Sequence, residues 1–176
     1  MKKSSMTVKT TLLIFLCSLL LSGCSEEEKK FEKKSKEYSY FYPAQENMAE
    51  MTKHETVYIP VYSHVYTSEE KNERIGITLS IRNTDFTQDM WINNISYYNT
   101  GGDLIENYIG KTHILKPMAS IDFVVDLRDM RGGSGANFIV EWTGSEKLST
   151  PIIQAVMVNN SGNRAFSFIT NGQTIK

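Results

Sequence analysis

The amino-acid sequence predicts an all-β protein: an antiparallel β-sandwich of immunoglobulin-like type, preceded by a signal peptide and a flexible tether. Two observations lead to this prediction. From Thr56 onward, apolar and polar residues alternate with a period of two, which is typical of strands that bury one face. Turn-forming residues interrupt the alternation at short intervals, and no later segment has the periodicity of an amphipathic helix. A small closed β-barrel is the alternative architecture.

We expect eight or nine strands. The candidates are Thr56–Tyr66, Ile75–Asn83, Met90–Tyr98, Leu104–Ile109, His113–Leu115, Ser120–Leu127, Ala136–Thr143, Pro151–Val158 and Ala165–Thr170. The turn Thr100–Asp103 should join the third and fourth strands as a hairpin. The residues expected on core faces include Ile77, Leu79, Ile81, Ile121, Phe123, Val125, Leu127, Phe138, Val140 and Trp142.

Two strands carry irregularities that the sequence predicts. The first strand contains Pro60, which lacks a backbone N–H, so we expect an edge strand or a bend at that residue. In the third strand, Trp91 and Ile95 are the expected core residues. A β-bulge is expected between them at Asn93-Asn94.

The N-terminus has the organisation of an export signal. Lys2, Lys3 and Lys9 precede an apolar segment of residues 11–21, and no acidic residue occurs before position 26. Eleven helical residues span roughly 17 Å, short of the ~30 Å hydrocarbon core, so the segment is predicted to be a signal peptide. The stretch Leu21–Cys24 (LSGC) resembles the bacterial lipobox. The alternative is an ordinary secretory signal followed by a chance cysteine.

The lipobox interpretation fixes several expectations. Residues 1–23 would be removed, and Cys24 would carry a covalent diacylglycerol and an N-acyl chain such as palmitate, which anchor the protein to a membrane. No other cofactor is predicted. Cys17 would be lost with the signal, leaving no free thiol or disulfide. Ser25 is not the Asp of an inner-membrane retention signal. We therefore expect a location in the bacterial cell envelope, at the outer membrane, on its periplasmic face or at the cell surface.

Residues 24–55 are predicted to be a tether, and residues 56–176 the folded domain. Residues 25–37 form a charge run, which is typical of a solvated, flexible segment. The aromatic cluster Tyr38, Tyr40, Phe41 and Tyr42 is unusual for a linker. It is expected either to dock on the domain or to rest on the membrane surface.

The charge balance argues against one class of partner. The formal net charge is −1, and three of the basic residues lie in the predicted signal, so the remaining chain is acidic. A nucleic-acid-binding protein should instead show a basic excess on one face. The expected partners are the membrane and an unidentified envelope protein or polymer.

A glycine-rich loop at residues 128–135 (RDMRGGSG) interrupts the strands. The run Gly132–Ala136 differs from the serine nucleophile elbow, because its fifth residue is alanine and a strand, rather than a helix, is expected to follow. Glycines at these positions indicate a connection that needs positive φ angles. The candidate binding surface consists of residues of this loop, Asn137 just after it, and polar residues at the end of the second strand: Arg82, Asn83, Asp85, Asp129, Arg131, Gly132, Gly133, Ser134, Gly135 and Asn137.

No catalytic or metal-binding set is recognisable. The three histidines have no further ligand at metal-binding spacing; they are His54, His64 and His113. We therefore expect a protein that is not an enzyme. The competing prediction is a hydrolase of envelope polymers that uses the carboxylates of Asp126, Asp129 or Glu141.

Several stretches together resemble a known bacterial family. They are Val57–Tyr66, Thr78–Asp85, Tyr97–Gly102, Leu115–Ser120, Gly132–Trp142 and Ala155–Met157. These stretches are similar to the domain of unknown function DUF3124, over roughly residues 56–173. Asn99 departs from the family, which usually has an acid there. The resemblance implies an envelope protein, often lipid-anchored, with no assigned activity, and it supplies no functional residues.

Overall fold

The computed structural model describes residues 38–45, 51–160 and 165–176. These residues form thirteen strands and no helix. The strands are β1 (Phe41–Pro43), β2 (Lys53–Pro60), β3 (His64–Ser68), β4 (Lys71–Arg74), β5 (Gly76–Arg82), β6 (Met90–Tyr98), β7 (Leu104–Asn107), β8 (His113–Leu115), β9 (Ser120–Val125), β10 (Asn137–Gly144), β11 (Ile152–Asn159), β12 (Phe166–Asn171) and β13 (Gln173–Thr174). Residues 160–163 (NSGN), between the last two predicted strands, have the composition of a turn, and of these only Asn160 lies within the described part.

The strands form two main antiparallel sheets. One has seven strands in the order β1-β8-β6-β10-β2-β13, with β7 added beside β6. The other has four strands in the order β12-β11-β5-β9, and β3 and β4 form a separate hairpin. Neither main sheet closes on itself within the described residues. The predicted antiparallel sandwich is therefore confirmed, and the closed-barrel alternative is wrong.

One hydrophobic core lies between the two sheets. The four-stranded sheet contributes Leu79 and Ile81, and the seven-stranded sheet contributes Phe138 and Trp142, all of them fully or almost fully buried. Phe123 of the four-stranded sheet meets Tyr108, which directly follows β7 of the seven-stranded sheet, in an edge-on contact with ring centroids 5.3 Å apart. Full burial of each large apolar side chain contributes about 1.5–3 kcal/mol. In β5, β9 and β10 the period-two pattern thus identified the inner faces correctly.

Strand β6 contains the predicted bulge, but one of its predicted core residues is misplaced. In the pairing with β10, Glu141 lies opposite Asn94 and Trp142 opposite Ile92, so Asn93 is the extra residue. The bulge inverts the alternation along the strand. Ile92 and Ile95 are therefore both buried, whereas Trp91 is only half-buried. The prediction of Trp91 as a core residue is wrong for this reason.

Pro60 ends a strand, so the predicted segment Thr56–Tyr66 is two strands, β2 and β3. Strand β2 lies between β10 and β13 and is not an edge strand. The chain continues past Pro60 through a hydrogen bond from the Val61 N–H to the Ala136 carbonyl, 2.9 Å long. It then turns away into the β3–β4 hairpin, whose second strand the sequence did not predict.

The folded part begins earlier than Thr56. Strand β1 pairs with β8, with Phe41 opposite Leu115, and Phe41 is buried. Tyr38 and Tyr40 pack partly buried against the core, so the aromatic cluster docks on the domain. Strand β2 starts at Lys53.

The predicted signal peptide, Cys24 and the charge run lie outside the described residues. Among the described residues, no helix is long and apolar enough to span a membrane.

The C-terminal chain joins the two sheets at Gly172. Strand β12 pairs with β11 up to Asn171, and β13 then pairs with β2 from Gln173. At the crossing, the Gly172 N–H donates to the Ile153 carbonyl, 2.8 Å away. A side chain there would come within 2.6 Å of Val57 and 2.8 Å of the Ile153 oxygen. Glycine is required because the two sheets approach each other so closely at this point.

Candidate functional site

The predicted glycine-rich loop connects the two sheets at one end of the sandwich. It leaves the four-stranded sheet after Val125 of β9 and joins the seven-stranded sheet at Asn137 of β10. Within the loop, the left-handed backbone conformation occurs at Gly133, where φ is +79°. The interpretation of this segment as a connection that requires glycine therefore holds at that residue.

Two hydroxyl side chains hold the glycine loop in place. The Thr100 hydroxyl donates to the Gly132 carbonyl (3.1 Å) and accepts from the Gly135 N–H (2.9 Å). On the other side, the Ser63 hydroxyl and the Ser63 N–H both donate to the Gly133 carbonyl, at 3.1 and 3.0 Å. Thr100 and Ser63 were not predicted as site residues, because each lies far from the loop in the chain. The loop is therefore a rigidly held structure.

Gly132 lies directly against a buried tyrosine. A Cβ atom at Gly132 would overlap the Tyr97 hydroxyl, and it would come within 2.8 Å of the ring carbon that bears it and 2.9 Å of the Ala136 Cβ. The Tyr97 ring stacks on Phe138 with centroids 4.9 Å apart. Its buried hydroxyl has no hydrogen-bond partner among the described residues. Burial, and secondly the charge of Asp129, raises the pKa of Tyr97 to about 12.

The outer side of the loop carries two ion pairs. The Arg131 guanidinium binds both carboxylate oxygens of Asp129, with the shortest distance 2.6 Å, and it lies 3.8 Å from Glu106. Arg128 pairs in the same way with Asp126, at 2.9 Å. In each pair, the side-chain hydrogen bonds from the arginine are the main cause of a lowered pKa of the aspartate.

These ion pairs limit the chemistry of the loop. A general acid must hold its proton near neutral pH, which requires a raised pKa, whereas the pKa values of Asp126 and Asp129 are lowered. The loop instead presents a partly exposed Arg131 beside exposed backbone at Gly135. Ser134 and Asn137 are half-buried, and their side chains make no hydrogen bond among the described residues. Such groups suit recognition of a partner by hydrogen bonds and charge.

The other half of the predicted surface lies at the opposite end of the sandwich. Strand β9 ends at Val125, beside Ile77, and begins at Ser120, beside Arg82. The seven residues of β5 extend over about 20 Å, and this length separates Arg82 from the glycine loop. The structure therefore does not bring Arg82, Asn83 and Asp85 together with the loop.

Asn83 has a structural role. It is buried, and its Nδ2 group donates to the carbonyls of Gln88 (2.8 Å), Leu115 (3.1 Å) and Lys116 (3.2 Å). Its Oδ1 accepts from the Asp85 N–H at 3.0 Å. The amide thereby joins the β5–β6 connection to the chain that follows β8, and these bonds leave it little capacity to bind a partner.

Asp85 is equally engaged. Its Oδ1 accepts from the N–H groups of Thr87 and Gln88, each at 2.8 Å, and its Oδ2 accepts from the Ser149 N–H at 3.0 Å. These backbone donors hold the pKa of the carboxyl well below its usual range. Of the three residues at this end, Arg82 is exposed and has no ion-pair partner among the described residues.

The histidines are dispersed. His64 is buried with its Nδ1 3.3 Å from the Ser63 hydroxyl, His113 stacks on Phe41 at 4.6 Å, and the His54 ring lies 2.9 Å from the Met51 carbonyl. No group of three or more His, Cys, Asp or Glu side chains in the described part is arranged to hold a metal ion.

Comparison with protein families identifies the domain. Residues 54–175 match the family described as "Protein of unknown function (DUF3124)". The chain belongs to the DUF3124 family. The match covers β2 to β13, so the predicted resemblance is confirmed, and β1 lies before the matched region. None of the curated proteins matches this DUF3124 chain. Among solved structures it is similar to the "Crystal Structure of Thermotoga maritima 1070", at 13% identity and a TM-score of 0.45, covering 70% of this chain and 96% of that one.

Proposed function

We propose that this DUF3124 protein is a membrane-anchored bacterial lipoprotein whose β-sandwich is a non-enzymatic binding or structural module of the cell envelope. The observation that carries the proposal is the stretch Leu21–Cys24, which follows a positively charged segment and an apolar segment of signal-peptide length. Each buried CH₂ of a lipid chain contributes about 0.8 kcal/mol to membrane binding, so the two or three chains on one cysteine form a lasting anchor.

The lowered pKa values of Asp126 and Asp129 support the non-enzymatic part of the proposal. Both carboxylates are paired with arginines two residues further along the chain. Glu141 lies within β10, opposite Asn94 and Thr56, and three residues of the strand separate it from Asn137 at the loop. These positions do not favour the alternative of a hydrolase that uses the three carboxylates together.

The glycine loop is the contact surface that we assign to the module. Its partner would be an envelope protein or polymer recognised through Arg131, Ser134, Gly135 and Asn137. The Thr100 hydroxyl holds the loop in one conformation through its hydrogen bonds to Gly132 and Gly135. Binding would therefore not incur the entropic cost of ordering the loop. The acidic balance of the chain after residue 23 makes nucleic acid an unsuitable partner.

The anchor is tested by Cys24→Ala in the full chain. Wild-type protein should incorporate labelled palmitate and sediment with membranes, because the Cys24 sulfur is the attachment point. The variant should incorporate no label and should be lost from the membrane fraction. Palmitate incorporation into the Cys24→Ala protein at the wild-type level would contradict the lipobox interpretation.

The contact surface is tested by Arg131→Ala combined with Asn137→Ala. After crosslinking in intact cells, this variant should recover less of the partners that the wild-type protein captures. Arg82→Ala is the matched control, because Arg82 is an exposed arginine at the opposite end of the sandwich. Both variants should unfold at the wild-type temperature. An unchanged set of captured partners for the loop variant would exclude the loop as the contact surface.

A further inference from the structure

The end of the sandwich opposite the glycine loop carries two exposed apolar side chains in adjacent turns. Phe86, in the β5–β6 connection, is 80% exposed, the largest fraction for any large apolar side chain in the described part of the chain. Met118, in the β8–β9 connection, is 58% exposed. The two turns are joined by a hydrogen bond of 3.0 Å from the Met118 N–H to the Asp85 carbonyl. Phe86 and Met118 therefore belong to one rigid tip.

Met118 occupies a backbone position that normally takes glycine. The Ala119 N–H donates to the Lys116 carbonyl at 3.1 Å, Pro117 lies at the second position, and Met118 has a φ of +59°. This is the geometry of a type II turn, whose third residue needs positive φ and is usually glycine or asparagine. An L-residue in this conformation is disfavoured. The chain thus keeps an exposed apolar side chain where glycine would fit without strain, which indicates a use for the side chain.

The N-terminal chain reaches the domain at this same tip. The Lys116 N–H donates to the Tyr40 carbonyl at 3.0 Å, directly before the turn that carries Met118. Only residues 25–37 separate Cys24 from Tyr38, the first described residue. However these residues are arranged, they keep Cys24 within about 50 Å of Tyr38. A lipid on Cys24 would therefore hold Tyr38, two residues before Tyr40 at the tip, within about 50 Å of the membrane.

The charges at the tip are compatible with lipid headgroups. Within the β5–β6 and β8–β9 connections, residues 83–89 and 116–119, the charged side chains are Asp85, Asp89 and Lys116, and Asp89 is half-buried. Both carboxylate oxygens of Asp85 accept hydrogen bonds from within the protein, so its charge is directed inward. Lys116 is exposed, with its Nζ 5.7 Å from the Tyr42 ring centroid. A lysine beside exposed apolar residues can reach phosphate groups while its neighbours contact acyl chains.

We propose that Phe86 and Met118 form a membrane-contacting tip that docks the sandwich on the bilayer to which Cys24 is attached. This inference rests on the proposed lipid anchor. It gives the domain a defined orientation, with the glycine loop on the side that faces away from the membrane. Strand β6 runs from Met90, beside Leu115 near the tip, to Tyr98, beside Leu104 at the end that carries the glycine loop. Its nine residues therefore separate the glycine loop from the tip by about 27 Å.

The test places an environment-sensitive dye on the full-length lipoprotein. In the acylated protein, Cys17 is removed and Cys24 is blocked, so an introduced cysteine is the only free thiol. Met118→Cys is compared with Leu104→Cys, a matched control because Leu104 is 55% exposed at the opposite end. Both proteins are reconstituted in phosphatidylcholine–phosphatidylglycerol vesicles that contain nitroxide-labelled lipid. The nitroxide lipid should quench the emission of a dye at residue 118 by about twofold or more, because interfacial groups lie about 5–10 Å into the headgroup region. The emission of a dye at residue 104 should not change.

The outcomes separate the tip from the anchor. Labelled protein that floats with the vesicles and shows equal quenching at both sites, or none at 118, overturns the docking proposal and leaves the anchor intact. Protein that does not float with the vesicles overturns both.

As a second variant, Met118→Gly should fold at least as stably as the wild type, because it removes the strained residue, yet it should weaken quenching of a dye placed by Phe86→Cys. Undiminished quenching at that site would remove Met118 from the tip.

Discussion

The contact between Gly132 and Tyr97 predicts an energetic coupling that a double-mutant cycle can measure. The Tyr97 hydroxyl is buried without a hydrogen-bond partner among the described residues. An unpaired buried polar group costs about 1–3 kcal/mol, so Tyr97→Phe should leave stability unchanged or raise it by about 1 kcal/mol. Most tyrosine-to-phenylalanine changes that remove a bonded hydroxyl would lower stability instead.

The second arm of the cycle is Gly132→Ala. In the wild-type protein the new methyl group would overlap the Tyr97 hydroxyl and crowd Ala136, and overpacking of this kind costs typically about 1–3 kcal/mol. In the Tyr97→Phe background the most severe overlap is absent, while the ring carbon at 2.8 Å and the Ala136 Cβ at 2.9 Å remain. The cost of Gly132→Ala should therefore fall by about 1 kcal/mol or more, an interaction energy typical of contacting residues.

Urea denaturation of the four proteins gives the required free energies of unfolding. Gly110→Ala serves as the control, because a Cβ at Gly110 would meet nothing within 4 Å. It should change stability by no more than about 0.5 kcal/mol. Additivity of Tyr97→Phe and Gly132→Ala within about 0.3 kcal/mol would refute the proposed contact. A loss of more than about 1 kcal/mol in Tyr97→Phe alone would show that the hydroxyl is hydrogen-bonded.

Two further predictions concern the opposite end of the sandwich. Asn83→Ala should lower the free energy of unfolding by about 3 kcal/mol, because buried carbonyls lose their donor. The control Asn137→Ala should change it by less than about 0.5 kcal/mol. Equal losses for the two variants in urea titrations would contradict this prediction. The lowered pKa of Asp85 stabilises the fold above about pH 4, and this contribution falls as the pH falls. The stability difference between wild type and Asp85→Asn should therefore shrink between pH 5 and pH 2, and a pH-independent difference would argue against it.

The parts of the fold that the sequence predicted correctly are those governed by local alternation. Leu79 and Phe138 lie in strands where a regular period of two directly reports which face is buried. Trp91 shows the limit of this reasoning. Because Asn93 is an extra residue, the residues before it in β6 point to the opposite face from the one that a regular alternation counted from Ile95 predicts. A bulge and its flanking core residues must therefore be assigned together.

The partners in contacts between distant residues could not be predicted. Docking of the aromatic cluster that contains Phe41 was one of two expectations, but the pairing of Phe41 with Leu115 of β8 is not encoded in the neighbouring sequence. The same is true of the candidate site. Asn83 and Asp85 are polar residues at the end of a clean strand, a pattern that predicts a binding surface. In the structure their side chains instead form hydrogen bonds with backbone groups. Polar residues at strand ends either bind a partner or form hydrogen bonds with the protein's own backbone, and only their observed hydrogen-bond partners distinguish the two roles.

The strand crossing at Gly172 has a consequence for the order of events during biosynthesis. Strand β2, the first long strand, pairs only with β10 and β13, and β13 is formed almost at the C-terminus. A chain exported N-terminus first, as proposed here, would deliver β2 across the membrane long before its partners. Strand β2 would lack a partner until β10 has followed it, and its other edge would stay unpaired until Gln173 and Thr174 of β13 have crossed as well. If the chain is exported as we propose, the sandwich could not be completed before β13 had crossed the membrane, and the open edge of β2 would need protection until then.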